Sequence, residues 1–138
     1  MKTEDAPDVR QLLESLVDKL NLSHVDSQRI ICFRSRGSTS RAIARIWSLP
    51  KIWQSALKVK AHYIVEVCSE RYDKLSHEDK TRTLIHELLH IPKNFSGATV
   101  SHNAVHFDGK GGHVRKRIDM RTVEKLFVQL KSNVSKEV

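Results

Sequence analysis

Apolar residues recur at helical spacing in five stretches of this chain and cluster in β-rich runs in two more. Leu12, Leu13, Leu16, Val17 and Leu20 follow the 3.6-residue period and predict a first helix ending near Asn21, with Asp5 or Asp8 as its cap. The segment before it, Met1 to Pro7, is polar and reads as loose chain. Arg29 to Arg34 (RIICFR) is short and β-rich, the pattern of a first strand. Gly37 to Ser40 is a turn that would also cap a helix. Ala42, Ile43, Ile46 and Trp47 then line a helical face, Pro50 breaks the run, and Ile52, Trp53, Ala56 and Leu57 continue on a second short helix. At this spacing both tryptophans are expected in the core.

Ala61 to Cys68 (AHYIVEVC) is the clearest strand. Tyr63, Val65 and Val67 fall on one face, and His62, Ile64, Glu66 and Cys68 on the other. The mixed second face predicts a place near a sheet edge, where an extended peptide could add as a further strand. Leu84, Ile85, Leu88 and Leu89 predict a helix buried on nearly all sides. Ser76 and Asp79 form its capping box, and Pro92 ends it. From Ile91 to Gly112 the pattern lapses into a long loop, which must be functional or pinned to be compatible with a compact domain. Asp119 can cap a last helix whose stripe is Val123, Leu126, Phe127 and Leu130, with a polar tail fraying from Ser132. Strands and helices of this kind predict an α+β fold: a small sheet packed on a central helix, plus N- and C-terminal helices.

Composition narrows the setting. The 138 residues are the size of one domain, predicted to span 1–138, and 39% hydrophobic content can build a core without staples. The first twenty residues carry Glu4, Asp5, Asp8 and Glu14 and no continuous apolar run, so no signal peptide is read there. No stretch is long enough to span a membrane, and Cys32 and Cys68 read as buried thiols of a reducing compartment. The expectation is a cytoplasmic protein with no membrane partner. A net charge of +8 favours acidic partners, nucleic acid among them. Its milder clusters are Arg29/Arg34/Arg36/Arg41/Arg45 and Arg115/Lys116/Arg117/Arg121.

The candidate chemistry lies in the central helix, which reads His86-Glu87-Leu88-Leu89-His90. Residues four apart share a helix face, so His86 and His90 can offer two imidazole nitrogens to one metal ion. Glu87 lies about 100° further round, close to that ion without aiming at it, where a general base is needed. This is the His-Glu-x-x-His pattern of zinc hydrolases. Catalytic zinc takes three protein ligands and leaves a position for water. His102, His106 and His113 each follow in the loop, with Gly97 before them to let the chain turn back, and Glu124 on the last helix is a fourth candidate. Spacing does not choose among them.

From about Ile43 to Phe127 the chain resembles the small archaeal and phage metallopeptidases, most closely in IHELLHIPKNFSGA (Ile85 to Ala98) and VEKLF (Val123 to Phe127). That resemblance implies a minimal zincin-like fold and Zn²⁺-dependent peptidase chemistry. It also implies a histidine shortly after the FSGA segment, which here is His102. His102 therefore ranks first as third ligand, ahead of His113, His106 and Glu124. A basic domain with this motif and a later histidine is similar, more loosely, to the SprT-like proteases, which act on DNA-bound proteins. The expected function is hydrolysis of peptide or protein substrates, with Glu87 as the general base. The alternative is a zinc-binding or nucleic-acid-associated domain without proteolysis, which would not need Glu87.

Overall fold

The structure is a computed structural model and describes residues 1–101, 103–107, 113–117 and 119–136; the side chains of 103–117 and 134–136 lie outside that description. The fold is α+β. Its sheet has four strands, β1 (Lys2–Asp5), β2 (Ile30–Arg36), β3 (Ala44–Ser48) and β4 (Tyr63–Cys68), in the order β1-β2-β4-β3. β2 and β4 run parallel at the centre, and β1 and β3 flank them antiparallel.

One face of the sheet carries the core. Ile30 and Cys32 of β2 and Tyr63, Val65 and Val67 of β4 are buried there. Against them pack α1 (Pro7–Lys19) through Val9, Leu13 and Leu16, and α4 (His77–Leu89) through Leu84, Ile85 and Leu88. α5 (Met120–Lys136) adds Val123 and Phe127. The helix pattern of the sequence thus finds its partner in the alternating strand pattern, and burial of these apolar faces is the main stabilising contribution. A short α2 (Lys51–Leu57) follows β3, and α3 (Ser69–Tyr72) is a single turn after β4. β5 (Asn103–Phe107) and β6 (His113–Arg117) form a separate antiparallel pair.

Several expectations are corrected. The polar start of the chain is not loose: Lys2–Asp5 forms edge strand β1, held by its ladder and by the Glu4–Arg36 ion pair at 2.9 Å. α1 begins with Pro7 after Ala6 and has no side-chain cap; Asp8 pairs with Arg34 instead. Ala44–Ser48 is a strand and not a helix. Ala44 and Ile46 pack on the core, and Arg45 and Trp47 donate to Glu66 of β4 on the other face. That is a two-residue alternation, which so short a run could not separate from a helical one.

Both tryptophans are largely exposed, Trp47 by 49% and Trp53 by 56%, so neither is a core residue. β4 is central and paired on both sides, so it offers no edge to a peptide; the edge strands of this sheet are β1 and β3. The stretch from Ile91 to Gly112 contains strand β5, which pairs with β6 just beyond it, and α5 continues beyond Ser132 to Lys136. Cys32 and Cys68 are both buried and free, as thiols.

Candidate active site

α4 is set in place by local chemistry. Ser76 caps it, its Oγ accepting from the Asp79 N–H at 3.1 Å, and Glu78 and Asp79 put negative charge at the positive end of the helix dipole. At its other end the helix stops at Leu89, with His90 as the C-cap and Pro92 two residues on. Thr81, Leu84, Ile85, Glu87 and Leu88 are buried and His86 is half-buried, so the histidine pair sits at the edge of the core.

His86 and His90 do converge. Their Nε2 atoms are 3.4 Å apart and the rings meet edge-on at 71°. Two nitrogens each about 2.0–2.1 Å from a zinc ion, at a tetrahedral angle, lie about 3.3–3.4 Å apart. The pair therefore has the spacing of one edge of a zinc tetrahedron. The other nitrogen of His90, Nδ1, lies 2.5 Å from the carbonyl oxygen of Val100. A carbonyl only accepts, so Nδ1 carries the proton and Nε2 presents its lone pair. Metal-binding histidines are held in this way by a partner behind the ring.

Val100 reaches His90 because the chain doubles back after α4. Its N–H also donates to the His90 carbonyl, at 2.7 Å. Gly97 makes the reversal possible, as its position in the sequence predicts. Its φ is +91°, and a Cβ there would lie 2.2 Å from Gln54 Nε2 and 2.5 Å from the Leu49 oxygen.

Glu87 is 7% exposed. Burial alone pushes its carboxyl up, from the ordinary value of 4.5 to about 7. It shares with His86 a cavity of about 510 Å³ whose other walls include Ile43, Ala44, Leu75, Met120 and Val123. Asp79 and Arg82 also line this cavity. Arg82 bonds both Asp79 and Glu124, each at 2.9 Å, and stacks on Phe127. The Glu87 carboxyl can thus exchange a proton near neutral pH beside an apolar pocket.

The sequence candidates for the third ligand are distributed as follows. His102 lies outside the described residues, two positions beyond Val100. His106 and His113 sit on β5 and β6, opposite Val114 and Phe107, with side chains outside the description. Glu124 is exposed on α5 and paired to Arg82. Among the described residues no three His, Cys, Asp or Glu side chains form a metal-holding group. The donor set that is present, two imidazoles with a backed ring and an adjacent carboxyl, fits zinc.

Residues that sequence reasoning missed are Val100, which acts through its carbonyl and so leaves no mark in the sequence, and Gln54. The first basic cluster is largely engaged within the fold: Arg29 with Asp26, Arg34 with Asp8 and Asp73, Arg36 with Glu4, and Arg45 with Glu66. No described helix is long and apolar enough to cross a membrane.

A family model described as "Putative phage metallopeptidase" matches residues 1–130, a longer reach than the Ile43 to Phe127 resemblance read from the sequence. No curated protein and no solved structure matches the chain. With nearly its whole length matched, the chain belongs to this family.

Proposed function

We propose that the protein is a zinc-dependent peptidase in which His86, His90 and His102 hold the metal and Glu87 is the general base. The observation that carries this reading is the His86–His90 pair, with Nε2 atoms 3.4 Å apart and the His90 ring backed by Val100. His102 is preferred to His106 and His113 because the chain already returns to His90 at Val100, two residues before it. It is preferred to Glu124 because that carboxylate is bonded to Arg82.

Zinc held there would supply a Lewis acid that polarises the scissile carbonyl and lowers the pKa of water to about 7. Glu87 takes the proton of the attacking water and returns it to the leaving amine. Its raised pKa suits both transfers: the carboxylate is a stronger base than an exposed glutamate, and the acid form is accessible at neutral pH. The cavity walls of Ile43, Leu75, Met120 and Val123 favour an apolar substrate side chain beside the cleaved bond. Edge strand β3, whose Ala44 lines the same cavity, takes over the peptide-holding role that the sequence assigned to β4.

The test is elemental analysis of the purified protein together with hydrolysis of labelled unfolded casein. One zinc per chain is expected in wild type and in Glu87→Gln, and none in His102→Ala, with turnover in wild type alone. Zinc-free wild type, after metal is added back and excess removed, would end the reading. Zinc retained by His102→Ala would move the third ligand to His113, His106 or Glu124.

A further inference from the structure

The segment that backs His90 is itself held from behind, and the holding groups come from β4 and α2. Tyr63 is 1% exposed, on the core face of β4. Its hydroxyl accepts from the Gly97 N–H at 2.9 Å and donates to the Ala98 carbonyl at 2.6 Å. Gln54 of α2 reaches the same stretch from the other side, its Nε2 donating to the Ser96 carbonyl at 2.9 Å and the Leu49 carbonyl at 2.8 Å. Residues 96, 97 and 98 are thus bonded one after another, and two positions later Val100 bonds His90 twice.

We propose that Tyr63 is a positioning residue for the metal site: its hydroxyl, assisted by Gln54, holds the 96–98 backbone so that the Val100 carbonyl fixes the ring and tautomer of His90. The inference rests on the reading of His86 and His90 as metal ligands.

Three features separate this role from simple packing. The ring of Tyr63 meets Phe95 edge-to-face with centroids 5.0 Å apart, a contact that phenylalanine would make equally well. What tyrosine adds is the hydroxyl, and both of its hydrogen-bonding functions go to one short backbone segment. Its single proton is given to Ala98, so it is not free to stabilise an oxyanion. Gly97 is also needed, since its left-handed backbone and the close approach of Gln54 leave no room for a side chain. Without the hydroxyl, the buried Gly97 N–H and the Ala98 carbonyl both lose this partner, and the segment must shift or admit water to satisfy the buried N–H.

The experiment compares wild type, Tyr63→Phe and Tyr72→Phe. Tyr72 is also 1% exposed but lies at α3, under Lys80, and controls for loss of a buried hydroxyl elsewhere. Zinc affinity is measured by competition with a chromogenic chelator. The His90 tautomer is read separately in metal-free protein from the nitrogen shifts of its ring. Direct partners of metal ligands change affinity about 10–100-fold, and Tyr63 acts one link further out, so about a tenfold loss is expected in Tyr63→Phe and none in Tyr72→Phe. The His90 proton should sit on Nδ1 in wild type and Tyr72→Phe and be shared between the two nitrogens in Tyr63→Phe.

Unchanged affinity and tautomer in Tyr63→Phe, with wild type binding zinc, would overturn the inference and leave the peptidase reading intact. Wild type without zinc would overturn both. Gln54→Ala removes the brace at Ser96 without touching the core and covers the case in which Tyr63→Phe does not fold. It should show the same two changes at smaller size, and their absence would count equally against the proposal.

Discussion

Glu66 and Glu87 are both glutamates with almost no exposed surface, 5% and 7% respectively, and their surroundings push them in opposite directions. Burial raises the pKa of Glu66, but hydrogen bonds from Arg45, Ser35 and Trp47 more than offset it, so the group stays below the ordinary glutamate value. Arg45 grips both carboxylate oxygens, at 3.2 and 3.0 Å; Ser35 Oγ donates at 2.6 Å and Trp47 Nε1 at 2.8 Å. Glu87 is raised to about 7 by burial alone. Burial by itself therefore does not distinguish a structural carboxylate from a reactive one. The presence of donors does: Glu66 is held as an anion that ties three strands together, and Glu87 keeps a proton affinity that chemistry can use.

The largest expected effect breaks the pair at Glu87. Glu87→Gln should lower turnover about 10²–10⁴-fold, the range of a general acid–base contribution. It should leave the thermal midpoint unchanged or slightly higher, because a buried group that carries charge poorly is replaced by a neutral one of the same shape. Steady-state hydrolysis and a melting curve on one preparation check both halves. A variant that loses stability in parallel with activity would make Glu87 a second Glu66.

Glu66→Gln should do the reverse. It leaves Arg45 without its counter-ion on the sheet and should cost about 2–3 kcal/mol, less than a fully buried pair because Arg45 is partly exposed. Zinc content should be retained, since Glu66 faces away from α4. The pH dependence sharpens the contrast. With its folded pKa depressed, Glu66 contributes its full stability above the ordinary value of 4.5 and loses it as the pH falls through the lower folded value. Urea titrations should therefore show wild type and Glu66→Gln converging as the pH drops below about 4 and separated by a constant gap above about 5. A gap that stays constant down to pH 2 would mean that the charge of Glu66 contributes nothing.

The same two regions show what was legible in the sequence. Everything that fixes the Glu87 helix is local: the Ser76 cap, the apolar period through Leu88 and the stop before Pro92 fall within seventeen residues of each other, and Gly97 marks the return of the chain. Periodicity and capping rules act over that range, so the helix, its histidine pair and the turn-back could all be read. β3 is decided by Glu66, about twenty residues further along, which binds Arg45 and Trp47 and so selects the extended form. A window around residues 42–47 cannot contain that information. The exposure of Trp47 has the same origin, because its indole lies over the open face with its N–H on Glu66. No such account covers Ile52 and Trp53, whose exposed surface the described residues leave uncovered. β1 was missed because nothing in its four exposed polar residues signals a strand; pairing with β2 makes it one.

Trp47→Phe is the smallest and most selective of these perturbations. It keeps an aromatic ring at a half-exposed position and removes one donor from one oxygen of Glu66, while Arg45 and Ser35 still hold the carboxylate. A single hydrogen bond to a charged group contributes about 1.5–3 kcal/mol when buried, and partial exposure of the tryptophan brings the expected loss to about 1 kcal/mol. That loss should disappear in the Glu66→Gln background if the two residues act through this bond, and a double-mutant cycle of melting curves measures the difference. Full additivity would show that Trp47 contributes by covering the sheet and not by its N–H. The low pKa of Glu66 would then rest on Arg45 and Ser35, and removing Arg45 should bring Glu66 toward the state of Glu87.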